Sequence, residues 1–204
     1  MNPLKIAIFA SGEGTNAEAL MDLASREPHL LEVLLLISDR QDALALEKAR
    51  RRDIPAFFIP QGAEAGVLEL LGKFRPEWAF LAGYMRIVKQ PILDFFQDSE
   101  RGYVRMLNIH PSLLPAFPGL KASEQAFHAG VREAGLTVHI VDDKLDNGPI
   151  VVQEKFLRQP VDTLEQFIAR GRAIENNLYV KAVRIIAGGN FRPQAQPGKG
   201  ESHG

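Results

Sequence analysis

The strongest constraint on this chain is an alternation. Apolar runs of strand length at residues 4–10, 31–38, 56–60 and 78–82 are separated by stretches of helical character at 17–26, 43–52 and 66–74. Strands that stay apolar without alternating are buried on both faces. A strand–helix–strand repeat brings such strands side by side in parallel, through right-handed crossovers. The order therefore predicts an α/β fold with a doubly wound, mostly parallel, Rossmann-like sheet. After residue 82 the pattern changes: a short helix at 90–96, a strand at 104–109, a proline-rich loop at 111–118 and a helix at 123–129. Strands at 136–141 and 150–156 flank a polar turn, 142–148, and read as an antiparallel C-terminal portion. A long helical period covers 163–186. We read one domain over 1–189, with halves at 1–100 and 101–189, no internal repeat, and a disordered glycine- and proline-bearing tail at 190–204.

Composition removes several function classes. Hydrophobic residues make up 46% and charged residues 24% of the 204, with a net charge of −1. That balance gives no general pull toward nucleic acid or an anionic membrane. No stretch approaches the ~20 apolar residues of a membrane span, and the first apolar run is too short for a signal peptide. The expectation is a soluble cytoplasmic protein that handles small molecules as monomer or homodimer. With no cysteine, thiolate catalysis, disulfides and cysteine-ligated zinc are excluded.

The first strand runs into Ser11-Gly12-Glu13-Gly14-Thr15-Asn16. Glycine lets backbone approach a ligand closely. The following helix N-terminus offers unpaired N–H groups and a positive dipole end. Gly14, Thr15 and Asn16 are thus candidates for holding a phosphate, against the plainer role of a capped strand–helix turn. Gly12, Gly14 and Ala17 also fit a dinucleotide fingerprint, with Asp39 placed at the end of the second strand as a ribose-binding acid would be.

Asn108 and His110 sit two apart at the end of a strand, so they share one face. Open α/β sheets place ligands at such ends. Asp146 lies in the acidic turn between the last two strands. A carboxylate beside His110 would raise its pKa and favour the imidazolium, and the Asn108 amide could hold a developing oxyanion. His139 reads as buried structure behind the site, His128 as helix surface, and His29 and His203 as loop and tail. Asp142 and Asp143 read as turn residues. The basic run Lys48 to Arg52 reads as a solvated helix end.

The stretch Asn108-Ile109-His110-Pro111-Ser112-Leu113-Leu114-Pro115, then Phe117-Pro118-Gly119-Leu120 and Leu145-Asp146-Asn147-Gly148-Pro149, resembles the folate-dependent formyltransferases, in particular the glycinamide ribonucleotide branch. Residues 81–88 and the Gly14-Thr15-Asn16 loop agree. The resemblance spans roughly residues 5–189. It implies transfer of formyl from 10-formyltetrahydrofolate, as co-substrate, to the amine of 5-phosphoribosylglycinamide in purine biosynthesis, with no metal. It carries Asn108, His110 and Asp146 into catalytic positions. It assigns the substrate phosphate end to Gly14, Thr15, Asn16, Arg172 and Glu175. The folate pocket falls to Met85, Arg86, Ile87, Val88, Asn108, Asp142, Asp143, Lys144, Leu145 and Asp146. The segment between Pro60 and Leu81 is short for the family, and its sole arginine is Arg75.

Three other readings stay open at this point. Gly171 to Asn177 and Pro115-Ala116-Phe117 also resemble formyltetrahydrofolate deformylase, a hydrolase. That sister family carries an extra N-terminal regulatory domain and a second histidine after the catalytic one; here the first strand begins at Leu4 and Pro111 follows His110. An NAD-dependent dehydrogenase would use the glycine loop and Asp39. A non-catalytic nucleotide-binding module would leave Asn108, His110 and Asp146 without a role.

Overall fold

A computed structural model describes residues 2–189, 191–193 and 196. The parallel half consists of β1 (Leu4–Phe9), α1 (Thr15–Arg26), β2 (Leu31–Ser38), α2 (Leu44–Arg50), β3 (Ala56–Phe58), α3 (Glu64–Phe74) and β4 (Trp78–Leu81). After α4 (Gln90–Phe95) come a two-residue hairpin, β5 (Gln97–Asp98) and β6 (Tyr103–Val104), then β7 (Met106–His110) and α5 (Ala122–His128). The chain ends on β8 (Glu133–Ile140), β9 (Ile150–Leu157) and α6 (Leu164–Ala187). The main sheet runs β3–β2–β1–β4–β7–β8–β9. Neighbours from β3 to β7 pair in parallel; β8 and β9 are antiparallel. The expected doubly wound sheet with an antiparallel C-terminal portion is what forms.

Period-two alternation sorts each central strand into two cores. Ile6, Ile8, Trp78, Phe80, Leu107 and Ile109 pack with Leu20 of α1, Leu46 of α2 and Leu178, Tyr179 and Val183 of α6. Ala7, Phe9, Ala79, Leu81 and Met106 face the other way, onto Val67 and Leu71 of α3 and Ile92 and Leu93 of α4. Each fully buried large aliphatic side chain contributes about 1.5–3 kcal/mol. Tyr179 closes a further gap: its hydroxyl lies 2.9 Å from the Leu81 carbonyl oxygen and 3.1 Å from that of Leu107. It thus ties α6 to the two strands that end nearest the site. The start of α6 is set by a capping box, in which Thr163 and Gln166 satisfy one another's backbone N–H groups.

The structure differs from the sequence expectations in three places. Val104 belongs to the β5–β6 hairpin, not to the strand that follows, because Arg105 N–H turns to donate to the Phe96 carbonyl at 2.8 Å. β8 begins at Glu133, three residues before the expected start, since Glu133, Ala134 and Gly135 find partners on β9. The basic run at the end of α2 is only partly solvated. Lys48 reaches Glu18 at 2.7 Å, and Arg52 reaches Glu18 at 3.0 Å and Asp22 at 2.8 Å, fastening α2 to α1. Most of the expected tail, 190–204, lies outside the described residues. Within it, the Phe191 ring packs 5.9 Å from that of Tyr103, and Gln196 is buried. No helix among the described residues is long and apolar enough to cross a membrane.

Candidate active site

β1 and β7 end at the same edge of the sheet, and each hands over to a loop rich in candidate groups. After β1, Gly14 takes φ of 70°, the left-handed region, and a Cβ there would lie 2.6 Å from that of Ala45. Only glycine fits both demands. Gly14 is also the N-cap of α1, and no side chain among the described residues caps this helix start. The first N–H groups of α1 therefore remain available to an anion. The Asn16 side chain is committed elsewhere: its Nδ2 donates to Glu175 Oε1 on α6 at 2.7 Å. Its Oδ1 is buried without a partner among the described residues.

β7 presents Asn108 and His110 on one face. Asp146 comes to them from the turn between β8 and β9. His110 Nδ1 lies 3.3 Å from Asp146 Oδ2, and both side chains are nearly buried. The other ring nitrogen, Nε2, donates to the Phe117 carbonyl at 2.8 Å. A carbonyl only accepts, so the neutral ring carries its hydrogen on Nε2 and keeps Nδ1 bare toward Asp146. Asp146 Oδ2 also accepts the Gly119 N–H at 2.8 Å. Its Oδ1 faces His139 Nε2 at 3.5 Å. His139 donates from Nδ1 to the Ile140 carbonyl at 2.8 Å, and its Nε2 lies 3.3 Å from Asn108 Nδ2. Asn108 thus spends one amide hydrogen on His139 and keeps the other.

The electrostatics correct one expectation. Burial pulls the His110 pKa below its ordinary value. The Phe117 hydrogen bond and the Asp146 charge push it up but do not win. Burial thus tilts His110 toward the neutral ring, against the expected imidazolium. Burial pushes the Asp146 carboxyl up; the neighbouring His139, the Gly119 N–H and the nearby His110 outweigh it and leave the pKa below the usual carboxylate value.

One cavity of about 680 Å³ gathers these groups. Its lining includes Met85, Arg86, Ile87, Val88, Asn108, His110, Asp142, Asp143, Lys144, Leu145, Asp146, Arg172 and Glu175. Gly14, Thr15 and Asn16 stand outside that lining and join it through the Asn16–Glu175 bond. The volume lies within the range of small-molecule sites. Met85, Ile87, Leu120 and Leu145 expose apolar surface at its rim. A second cavity of about 320 Å³ shares Tyr84 to Val88 and is walled by Pro60 to Glu64. That wall carries Glu64 and no arginine. Arg75 caps the far end of α3 and lines neither cavity.

Sequence reasoning missed the backbone groups: the Gly119 N–H and the Phe117 carbonyl leave no mark in a residue pattern. It also left Asp39 free for a ribose. Asp39 is already engaged, accepting from Ser11 Oγ at 2.6 Å and Arg86 Nε at 2.8 Å. Its side chain is 2% exposed. Ser11 Oγ in turn accepts the Met85 N–H at 2.9 Å. The acid that a dehydrogenase needs is thus closed off by the protein itself.

The sequence profile described as formyl transferase matches residues 4–183. A phosphoribosylglycinamide formyltransferase of Bacillus subtilis (strain 168) is 38% identical over 195 residues, covering 92% of this chain and 97% of that protein. The crystal structure of glycinamide ribonucleotide transformylase 1 from Symbiobacterium toebii superposes with a TM-score of 0.84 at 40% identity, covering 93% of this chain and 89% of that one. A formyltetrahydrofolate deformylase from Pseudomonas syringae gives a TM-score of 0.82 at 26% identity; the match covers 92% of this chain and 62% of the deformylase.

Proposed function

The chain belongs to the formyl transferase family, and from that premise we propose that it transfers a formyl group from 10-formyltetrahydrofolate to the amine of 5-phosphoribosylglycinamide, a step of purine biosynthesis. The observation that carries this reading is the Asn16–Glu175 bond of 2.7 Å. It sets the uncapped N-terminus of α1, an anion site, against the wall of the cavity that holds His110 and Asp146. A hydrolase that uses water has no need of a phosphate anchor there.

In this reading the folate lies along Met85 to Val88 and the turn Asp142 to Asp146. The substrate phosphate meets the N–H groups of Thr15 and Asn16 beside Gly14, with Arg172 and Glu175 toward the rest of the substrate. The neutral amine attacks the formyl carbon, a C–N bond forms, and the carbonyl oxygen becomes an oxyanion. The remaining Asn108 amide hydrogen stabilises that charge, a contribution of about 2–4 kcal/mol. His110 takes the proton shed by the attacking nitrogen at Nδ1, where Asp146 holds the resulting cation. It then returns the proton to the leaving folate nitrogen as the second C–N bond breaks. Burial favours the neutral His110 until that step.

The test follows loss of 10-formyltetrahydrofolate with and without 5-phosphoribosylglycinamide. Consumption should depend on the added amine. Equal turnover with water alone would make the protein a deformylase.

A further inference from the structure

One polar side chain beyond α6 stands in an unexpected place. Gln196 is 4% exposed, although glutamine ordinarily stays in water. Its Nε2 donates both hydrogens into the turn between β8 and β9: to the Asp146 carbonyl at 2.9 Å and to the Gly148 carbonyl at 3.0 Å. Its Oε1 has no partner among the described residues, so these two bonds are what offset its burial.

The turn they hold is under constraint. Asp146 has φ of 50°, in the left-handed region that non-glycine residues rarely occupy. The first part of the turn is stapled by Asp142, whose carboxylate accepts the Lys144 N–H at 3.1 Å and the Asn147 side-chain amide at 2.9 Å. The second part has Gln196. Between them, the Asp146 carboxylate must stay 3.3 Å from His110 Nδ1. The peptide on the C-terminal side of Asp146 swings that carboxylate if it rotates, and its carbonyl is one of the two that Gln196 grips.

We propose that Gln196 is a positioning residue: by holding the Asp146 and Gly148 carbonyls it keeps the Asp146 carboxylate in register with His110, without touching substrate. The inference rests on the proton-relay reading of Asp146 given above.

The experiment uses the full chain and two variants of similar shape that lack the donor, Gln196→Met and Gln196→Glu. Both should lower kcat about 10-fold, the scale of a sub-ångström misplacement, while KM for each substrate stays within about twofold. The decisive arm repeats Gln196→Met in an Asp146→Asn background. There it should cost nothing more, because the group it positions is already disabled. Unchanged kcat with a lowered thermal midpoint would make Gln196 a stability residue and overturn the proposal. So would the same fold loss in both backgrounds. Near wild-type turnover of Asp146→Asn alone would overturn the relay itself, and the positioning role with it.

Discussion

Where β1 hands over to α1 the chain offers backbone: a left-handed glycine, an uncapped helix start and N–H groups pointing outward. Where β7 hands over to the proline-rich loop it offers side chains, Asn108 and His110, and surrounds them with carbonyls, a third residue from a distant turn and a second histidine. The parallel half is suited to binding a fixed negative charge, which needs little beyond geometry. The antiparallel half is suited to moving protons, which needs groups whose charge can change. The two sites meet through the bond from Asn16 to Glu175. Binding and chemistry should therefore separate under mutation.

The sharpest break in that comparison is Asp146→Asn. Asn keeps the shape and removes the charge, so substrate binding should persist while kcat falls at least ~100-fold. Steady-state kinetics measures this. NMR titration of the ring should show the His110 pKa, already lowered by burial, falling further once the Coulombic support of Asp146 is gone. Wild-type turnover would mean the antiparallel half is not where the chemistry lies.

Gly14→Ala is the counterpart in the parallel half. The new Cβ meets Ala45 and a left-handed φ, so the loop must shift away from the phosphate. KM for the phosphorylated substrate should rise about 10- to 50-fold, the loss of one charge-assisted hydrogen bond or slightly more. The folate affinity should barely move; calorimetry with each ligand separates the two. A parallel fall in folate affinity would dissolve the division between halves.

Asn16→Ala should act more gently and on both sides of the boundary. Its side chain holds Glu175, so the expected effect is a loss of about 1.5 kcal/mol in kcat/KM for the phosphorylated substrate, with phosphate alone binding as before. Binding of inorganic phosphate provides the check.

Acidification should give the smallest effect. Because the folded pKa of His110 lies below the unfolded value of 6.5, the unfolded chain takes up that proton first as pH falls. Stability should then decline below pH 6.5 until the folded ring protonates too. Asp146 is also lowered, from 3.8; its contribution is present above 3.8 and is lost as pH drops through that value toward the folded one. The acid limb of kcat/KM should sit below 6.5. Denaturant melts and rate profiles across pH test both, and a limb above 6.5 would mean that His110 starts charged.

Most of the fold was legible because it rests on repetition. Ile6 and Ile8 against Ala7 and Phe9 announce a strand buried on both faces, and the same alternation recurs in β4 and β7. The β5–β6 hairpin was not legible, since two residues per strand give no period to read. In the site, Asn108 and His110 were legible as a pair two apart on a strand end. Asp146 was linked to them by family likeness, because a turn between two other strands has no local reason to face His110. What stayed hidden was set by backbone or by competition between effects. The Gly119 N–H and the Phe117 carbonyl are common to every residue type. The sign of the His110 shift depends on burial, which a carboxylate nearby in sequence pattern does not reveal. Asp39 looked open because Ser11, its partner, precedes it by 28 residues, and Gln196 because a polar tail gives no hint of docking.

The position of β1 has a consequence for how the protein is made. It lies in the interior of the sheet, between β2 and β4. Its pairing with Leu31–Ser38 is available soon after synthesis, but the partner for its other edge, Trp78–Leu81, emerges only later. Until then a strand destined for burial presents an open row of N–H and C=O groups, the kind of edge on which chains aggregate. In refolding of the full chain the shorter loop to β2 should give residues 4–9 amide protection in two stages, the β2 side before the β4 side. Pulse-labelled hydrogen exchange can resolve the stages, and simultaneous protection of both edges would show that the sheet assembles at once.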